Sequence, residues 1–220
     1  MPTNTLPNVG NDLIRIHKVV TRALEVSRKN SQDAASLAES DQPGFTLYVR
    51  ALTILLHGHH AGEDELAFPF WRKRLPEGPF DQLSAQHRRM VGFLEKIEGW
   101  LGAGPAAWQA DLRGELQSTL AGLQTLWLSH ISVEEATMGP ENSSKLLTPE
   151  ENGQLSQQMA EHGQAHSQPG ELVMPFCIYN LSGEDRAEFV RLLPAVMTQQ
   201  LVPQAWKAAW APMLPFLLAE

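Results

Sequence analysis

The sequence predicts an all-α protein, an up-down-up-down four-helix bundle with an appended C-terminal helical segment. Apolar residues recur at spacings of three and four along most of the 220 residues, the repeat of a helix with one buried face. Alternating strand-like runs bounded by paired turn signals are hard to find. Four long periodic segments also lie between breaks rich in proline and glycine.

The first helix runs from about Asn8 into the thirties and ends before the polar stretch Glu39 to Gly44, whose Pro43 and Gly44 oppose continuation. The second starts near Thr46 and carries a His-rich segment, with Pro69 and the Pro76 to Pro79 turn bending or stopping it. The third spans Phe80 to Leu101 and stops at Gly102, Gly104 and Pro105. The fourth continues from about Ala106 to Met138, closed by Gly139 and Pro140. Residues 1–140 are therefore expected to form the bundle and residues 141–220 a helical extension. In the extension a polar connector from Glu141 to Thr148 leads to a helix from Pro149 to about His166. After a break at Pro169 and Gly170, Ser182 is an N-cap candidate, and two Pro-interrupted helices reach Leu218.

Composition narrows the function. Hydrophobic residues make up 43% of the chain, enough for a sizeable core, and 17 basic against 25 acidic residues give a charge of -8 with no basic cluster, so nucleic acid is not expected as a partner. No run of about 18 apolar residues exists to cross a membrane. The start, Met1 to Asp12, lacks the pattern of a signal peptide, and the lone Cys177 permits no intramolecular disulfide and reads as a small buried hydrophobe. A cytoplasmic protein is expected.

The chemistry lies in the histidines. The second helix contains His57-Gly58-His59-His60-Ala61-Gly62-Glu63-Asp64 and the fourth His130-Ile131-Ser132-Val133-Glu134-Glu135. Each holds a His-x-x-x-Glu pair, and residues four apart on a helix differ by only about 40° around the axis and about 6 Å along it, so imidazole and carboxylate can meet at one point. In the second helix the register of His59 and Glu63 continues Leu52, Leu55, Leu56, Leu66 and Phe70, a more apolar stripe than the one holding His60 and Asp64. In the fourth, His130 and Glu134 lie on the stripe of Leu116, Leu120, Leu123, Trp127 and Met138. His87 sits among Phe80, Leu83, Met90 and Leu94, and His17 among Leu13, Val20 and Leu24. One such histidine is ordinarily a hydrogen-bonded core residue. Four stripes carrying six such groups, two of them carboxylates that are costly to bury, call for a positive centre.

Taken with Leu66, Phe68 and Pro69, these residues resemble the hemerythrin-like His-His-Glu cation-binding domains, over roughly residues 8 to 140. The resemblance implies metal ligands at His17, His59, Glu63, His87, His130 and Glu134, and a non-haem di-iron centre with bridging carboxylates. One departure stands out: oxygen-carrying members have a second histidine four residues before the one matching His87, where this chain has Leu83. His60 is the first candidate to replace it and His57 the second, although an exposed surface position is the default expectation for both.

Six donors exceed the about four of a structural zinc site. Two octahedral ions offer about twelve positions, and these donors with a bridging oxo or hydroxo group leave about two for dioxygen, peroxide or nitric oxide. The leading expectation is an iron protein that binds or senses oxygen, redox state or iron itself, with zinc or manganese as other occupants. The alternatives are a di-iron enzyme that disproportionates peroxide or reduces nitric oxide, and a metal-free structural helical protein. Whether it is an enzyme stays open. His162 and His166 read as surface residues, and the apolar tail of Trp206, Trp210, Met213, Leu214, Phe216 and Leu217 should pack on the bundle or on a second subunit in a homodimer.

Overall fold

The computed structural model describes residues 8–32 and 37–218, and no strand occurs among them. Residues 1–7, on which much of the signal-peptide reading rests, lie outside the described residues. The four long segments are α1 (Val9–Gln32), α2 (Gln42–Gly62), α4 (Phe80–Gly102) and α5 (Ala110–Met138), with a short α3 (Phe68–Arg72) following α2. They close a ring of contacts, α1 on α2, α2 on α4, α4 on α5 and α5 on α1. Matched pairs give the senses. His17 meets His59 while Arg22 meets Tyr48, and His17 meets Glu135 while Thr21 meets Trp127. His87 meets His130 while Trp100 meets Ala107, and His57 meets Glu98 while Asp64 meets His87. In each pair of helices one numbering rises as the other falls, so neighbours in the ring run antiparallel.

Two boundaries differ from the sequence reading because proline is harmless in a first turn, where its missing N–H has no helical acceptor. Pro43 lies in the first turn of α2, which therefore starts at Gln42 rather than near Thr46. Pro69 lies in the first turn of α3, and the chain passes from α2 to α3 through a π-helical turn, Glu63–Ala67, rather than a break. The expected connector after Pro140 is likewise mostly helical, as α6 (Pro140–Leu146).

Thr148 caps α7 (Pro149–His166) through a reciprocal pair with Glu151. Next come α8 (Gly170–Asn180) and α9 (Gly183–Leu192), where Ser182 occupies the N-cap position without a side-chain capping bond. A π-helical stretch Met197–Ala205, α10 (Lys207–Trp210) and a 3-10 segment Ala211–Phe216 finish the chain. This C-terminal part wraps α2, which touches α7, α8 and the Ala211–Phe216 segment. Trp210, Met213 and Phe216 are buried in the same apolar cluster as Leu24, Leu52 and Leu120. Most of the tail that suggested a second subunit is thus spent within the chain, although Leu214 stays half exposed. Tyr48 and Arg22 tie the two parts by polar contacts, Tyr48 donating to Asn180 at 2.6 Å and Arg22 donating to the Phe216 carbonyl at 3.1 Å. Among the described residues no helix is long and apolar enough to cross a membrane.

Candidate metal centre

Each long helix delivers its histidine as the 3.6-residue repeat requires. His17, His87 and His130 are 2% exposed or less, and Glu63 and Glu134 are fully buried. The entire α5 stripe from Leu116 to Met138 is buried. The His59 side chain is 5% exposed, with Nε2 3.1 Å from Glu63. His60 is buried too, at 4% exposed, although its register looked like the outer one. The reason is that α2 lies between two neighbours in the ring. His59 faces α1, 5.4 Å from the His17 ring, and His60 faces α4, stacked on His87 at 4.2 Å, so adjacent registers both turn into the bundle. Thr53, Ala67 and Trp71 of the His60 register are buried with it. His57 keeps to the surface side, with Glu98 at 3.1 Å.

The donors fall into two groups. His60, His87 and His130 form one, and His17, His59, Glu63 and Glu134 the other, and within each the donor atoms lie within 4.8 Å of one another. The carboxylates also reach across, Glu134 lying 3.1 Å from His130 Nε2 and Glu63 3.4 Å from His87 Nε2. Trp127 packs edge-on to His17 at 5.2 Å, and Phe68 stacks on His87 at 5.3 Å. These two rings belong to separate apolar clusters, so the polar pocket is closed off by hydrocarbon from two directions.

Such a pocket should be expensive. His17 Nε2, His59 Nε2, both nitrogens of His60 and all four oxygens of Glu63 and Glu134 are buried without a hydrogen bond. An orphaned buried polar group costs about 1–3 kcal/mol, and more when charged. These atoms point at one another at distances too long or angles too poor for hydrogen bonds, and their chemistry, imidazole nitrogen with carboxylate oxygen, suits a divalent cation. The donor set therefore fits a metal.

Without a metal, protons carry the balancing charge. Burial opposes charge on His17, but Glu134 and Glu135 outweigh it and hold its pKa up at about 9. His87 is likewise held at about 9, by Asp64 and Glu63 against burial. Burial presses His59 and His60 down, helped by neighbouring imidazoles, and presses His130 down despite Glu134. Burial together with Glu134 lifts Glu63 to about 8, whereas His130 and His17 overcome burial to keep Glu134 ionised. The alternation of charged and neutral groups is the pattern expected of a cation site read in its proton-filled form.

Outside the pocket, His166 is exposed as expected, but His162 is not a surface residue. Its side chain is 9% exposed, tucked beside Gly62 at the end of α2 with Nε2 3.2 Å from Glu65, and His166 stacks on it at 3.8 Å. Neither belongs to the donor groups. Cys177 is buried, as expected, and burial pushes its thiol up to about 12.

A helical bundle that turns five imidazoles and two carboxylates inward has the interior of a cation-binding bundle. The family model of the hemerythrin HHE cation-binding domain matches residues 10–141, and the chain belongs to that family. No curated protein and no solved structure matches the chain significantly.

Proposed function

We propose that this chain binds two metal ions, iron in the working protein, and serves as a binding or sensing module for a small ligand such as dioxygen, peroxide or nitric oxide. The observation that carries the reading is the pair of donor groups sharing buried, unpartnered carboxylates. His60, His87 and His130 would hold one ion, His17 and His59 the other, and Glu63 and Glu134 would bridge them. Iron supplies reversible electron transfer and open coordination positions there. The protein's own residues do the rest: imidazoles fix the ions, the two glutamates neutralise them, and Trp127 and Phe68 exclude water and lower the local dielectric. The lone, buried Cys177 supports a reducing, cytoplasmic setting.

Anaerobic titration with ferrous iron, followed by elemental analysis and an absorption spectrum after exposure to oxygen, tests this. The expected result is about two irons per chain and a near-ultraviolet band from a bridged ferric pair. Fewer than about 0.2 metal per chain would leave the metal-free structural reading in possession of the field. Many turnovers of peroxide per site would favour an enzyme over a sensor, and a single stoichiometric spectral change the reverse.

A further inference from the structure

Each of the two buried glutamates is followed in sequence by a second acid, giving Glu63-Asp64 and Glu134-Glu135. In the structure each pair of neighbours grips a single imidazole from another helix. Glu134 Oε2 lies 3.2 Å from His17 Nε2, and Glu135 Oε1 lies 2.8 Å from the same ring's Nδ1. Glu63 Oε2 lies 3.4 Å from His87 Nε2, and Asp64 Oδ2 lies 3.0 Å from its Nδ1. The first acid of each pair is fully buried, and the second stands at the boundary, 38% exposed for Asp64 and 36% for Glu135. Ser84 donates to the other oxygen of Asp64, so its carboxylate is held in place. The helices solve the same problem by different backbones, a π-helical turn at Glu63 and a regular α-helix at Glu134.

An imidazole that donates Nδ1–H outward is left with its Nε2 lone pair aimed inward, and a carboxylate acceptor also raises the basicity of that nitrogen. His60, by contrast, has no partner for either nitrogen. We propose that Asp64 and Glu135 are positioning residues for the metal centre, each fixing the ring orientation and tautomer of one histidine, His87 and His17 respectively, so that the working motif is His-x-x-x-Glu-acid. This rests on the two-metal reading above. The two acids serve different donor groups, since His87 belongs with His60 and His130, and His17 with His59.

The test uses the full chain loaded with zinc, which is diamagnetic, and compares wild type with Asp64→Leu, Glu135→Leu, Asp64→Asn and Glu135→Gln. Affinity is read by chelator competition, ring protons by histidine-selective proton–nitrogen NMR, and folding by melting of the metal-free form. Each leucine variant should weaken zinc about 10- to 100-fold. The Nδ1–H signal of His17 should move or vanish only in the Glu135 variants, and that of His87 only in the Asp64 variants. The amides, which keep an acceptor without its charge, should restore part of the affinity and keep the ring signal at a shifted position, and they decide the matter if a leucine variant does not fold. Affinities within about twofold of wild type with unmoved ring signals overturn the assignment while leaving the metal centre standing. A wild-type protein that takes up neither zinc nor iron fails earlier, and takes the two-metal reading with it.

Discussion

His87 Nε2 and His130 Nε2 face each other at 3.2 Å in the interior of the bundle. The outer nitrogen of His87 is committed to Asp64, and that of His130 lies 3.1 Å from Gln86 Oε1. Two neutral rings so arranged would oppose their lone pairs, which is repulsive in a medium with no water to intervene. A proton between them relieves this, and so does a cation. The site is thus built around something positive, and the ionisation of its members follows from what supplies the charge.

The metal-free protein should lose stability as pH rises between about 6.5 and 9. His17 and His87 have folded pKa values of about 9 against an ordinary 6.5, and Glu63 about 8 against 4.5. Raised values mean that the folded state binds more protons than the unfolded one, a stabilisation present in acid and lost as pH climbs through the folded values. His59, His60 and His130, whose values are lowered, oppose this trend only near and below their ordinary 6.5. Denaturant melts of chelator-treated protein across that window should give a falling midpoint. With metal bound, protons compete with the ion, and affinity should instead rise with pH.

Replacing His60 with alanine should reduce bound metal from about two ions per chain to about one, or weaken one ion at least about 100-fold, beyond the loss typical of an outer-shell partner. His60 stacks on His87 at 4.2 Å and both its nitrogens are otherwise unpartnered. Elemental analysis after gel filtration reads this directly, and an unchanged two-ion stoichiometry would remove His60 from the ligand set.

Cys177 should resist thiol reagents in the folded protein and react fully once denatured. Its side chain is buried among Val173, Phe176 and Ile178 and its pKa is pushed up to about 12, so the reactive thiolate is scarce and inaccessible. Fast native-state labelling at pH 8 would contradict the packing of α8.

Gly44→Ala should destabilise the protein by about 1–3 kcal/mol, the usual range for a forced overpacking. A Cβ at this position would lie 1.9 Å from the Pro212 carbonyl oxygen, a backbone atom with little room to retreat. Thermal melting of the variant measures the cost. Because the contact joins the start of α2 to the C-terminal segment, protection of Ala211–Phe216 from proteolysis should fall in parallel.

The sequence by itself determined the helical class, the four long rods and the inward direction of His17, His87, His130, Glu63 and Glu134. It could do so because the α-helical repeat ties each residue's direction to its neighbours three and four away, and on α5 the stripe of Leu116, Leu120, Leu123, Trp127 and Met138 that carries His130 and Glu134 is buried throughout. Tertiary structure alone decided His60. Because α2 lies between α1 and α4, His59 turns to His17 and the next residue, His60, to His87, contacts made between residues far apart in the chain, and the periodicity of one helix does not fix how wide its buried arc will be. The partners of the outer nitrogens were hidden for a related reason. Asp64 and Glu135 sit where a helix meets solvent, which looks like any charged surface until another helix brings an imidazole within 3.0 Å.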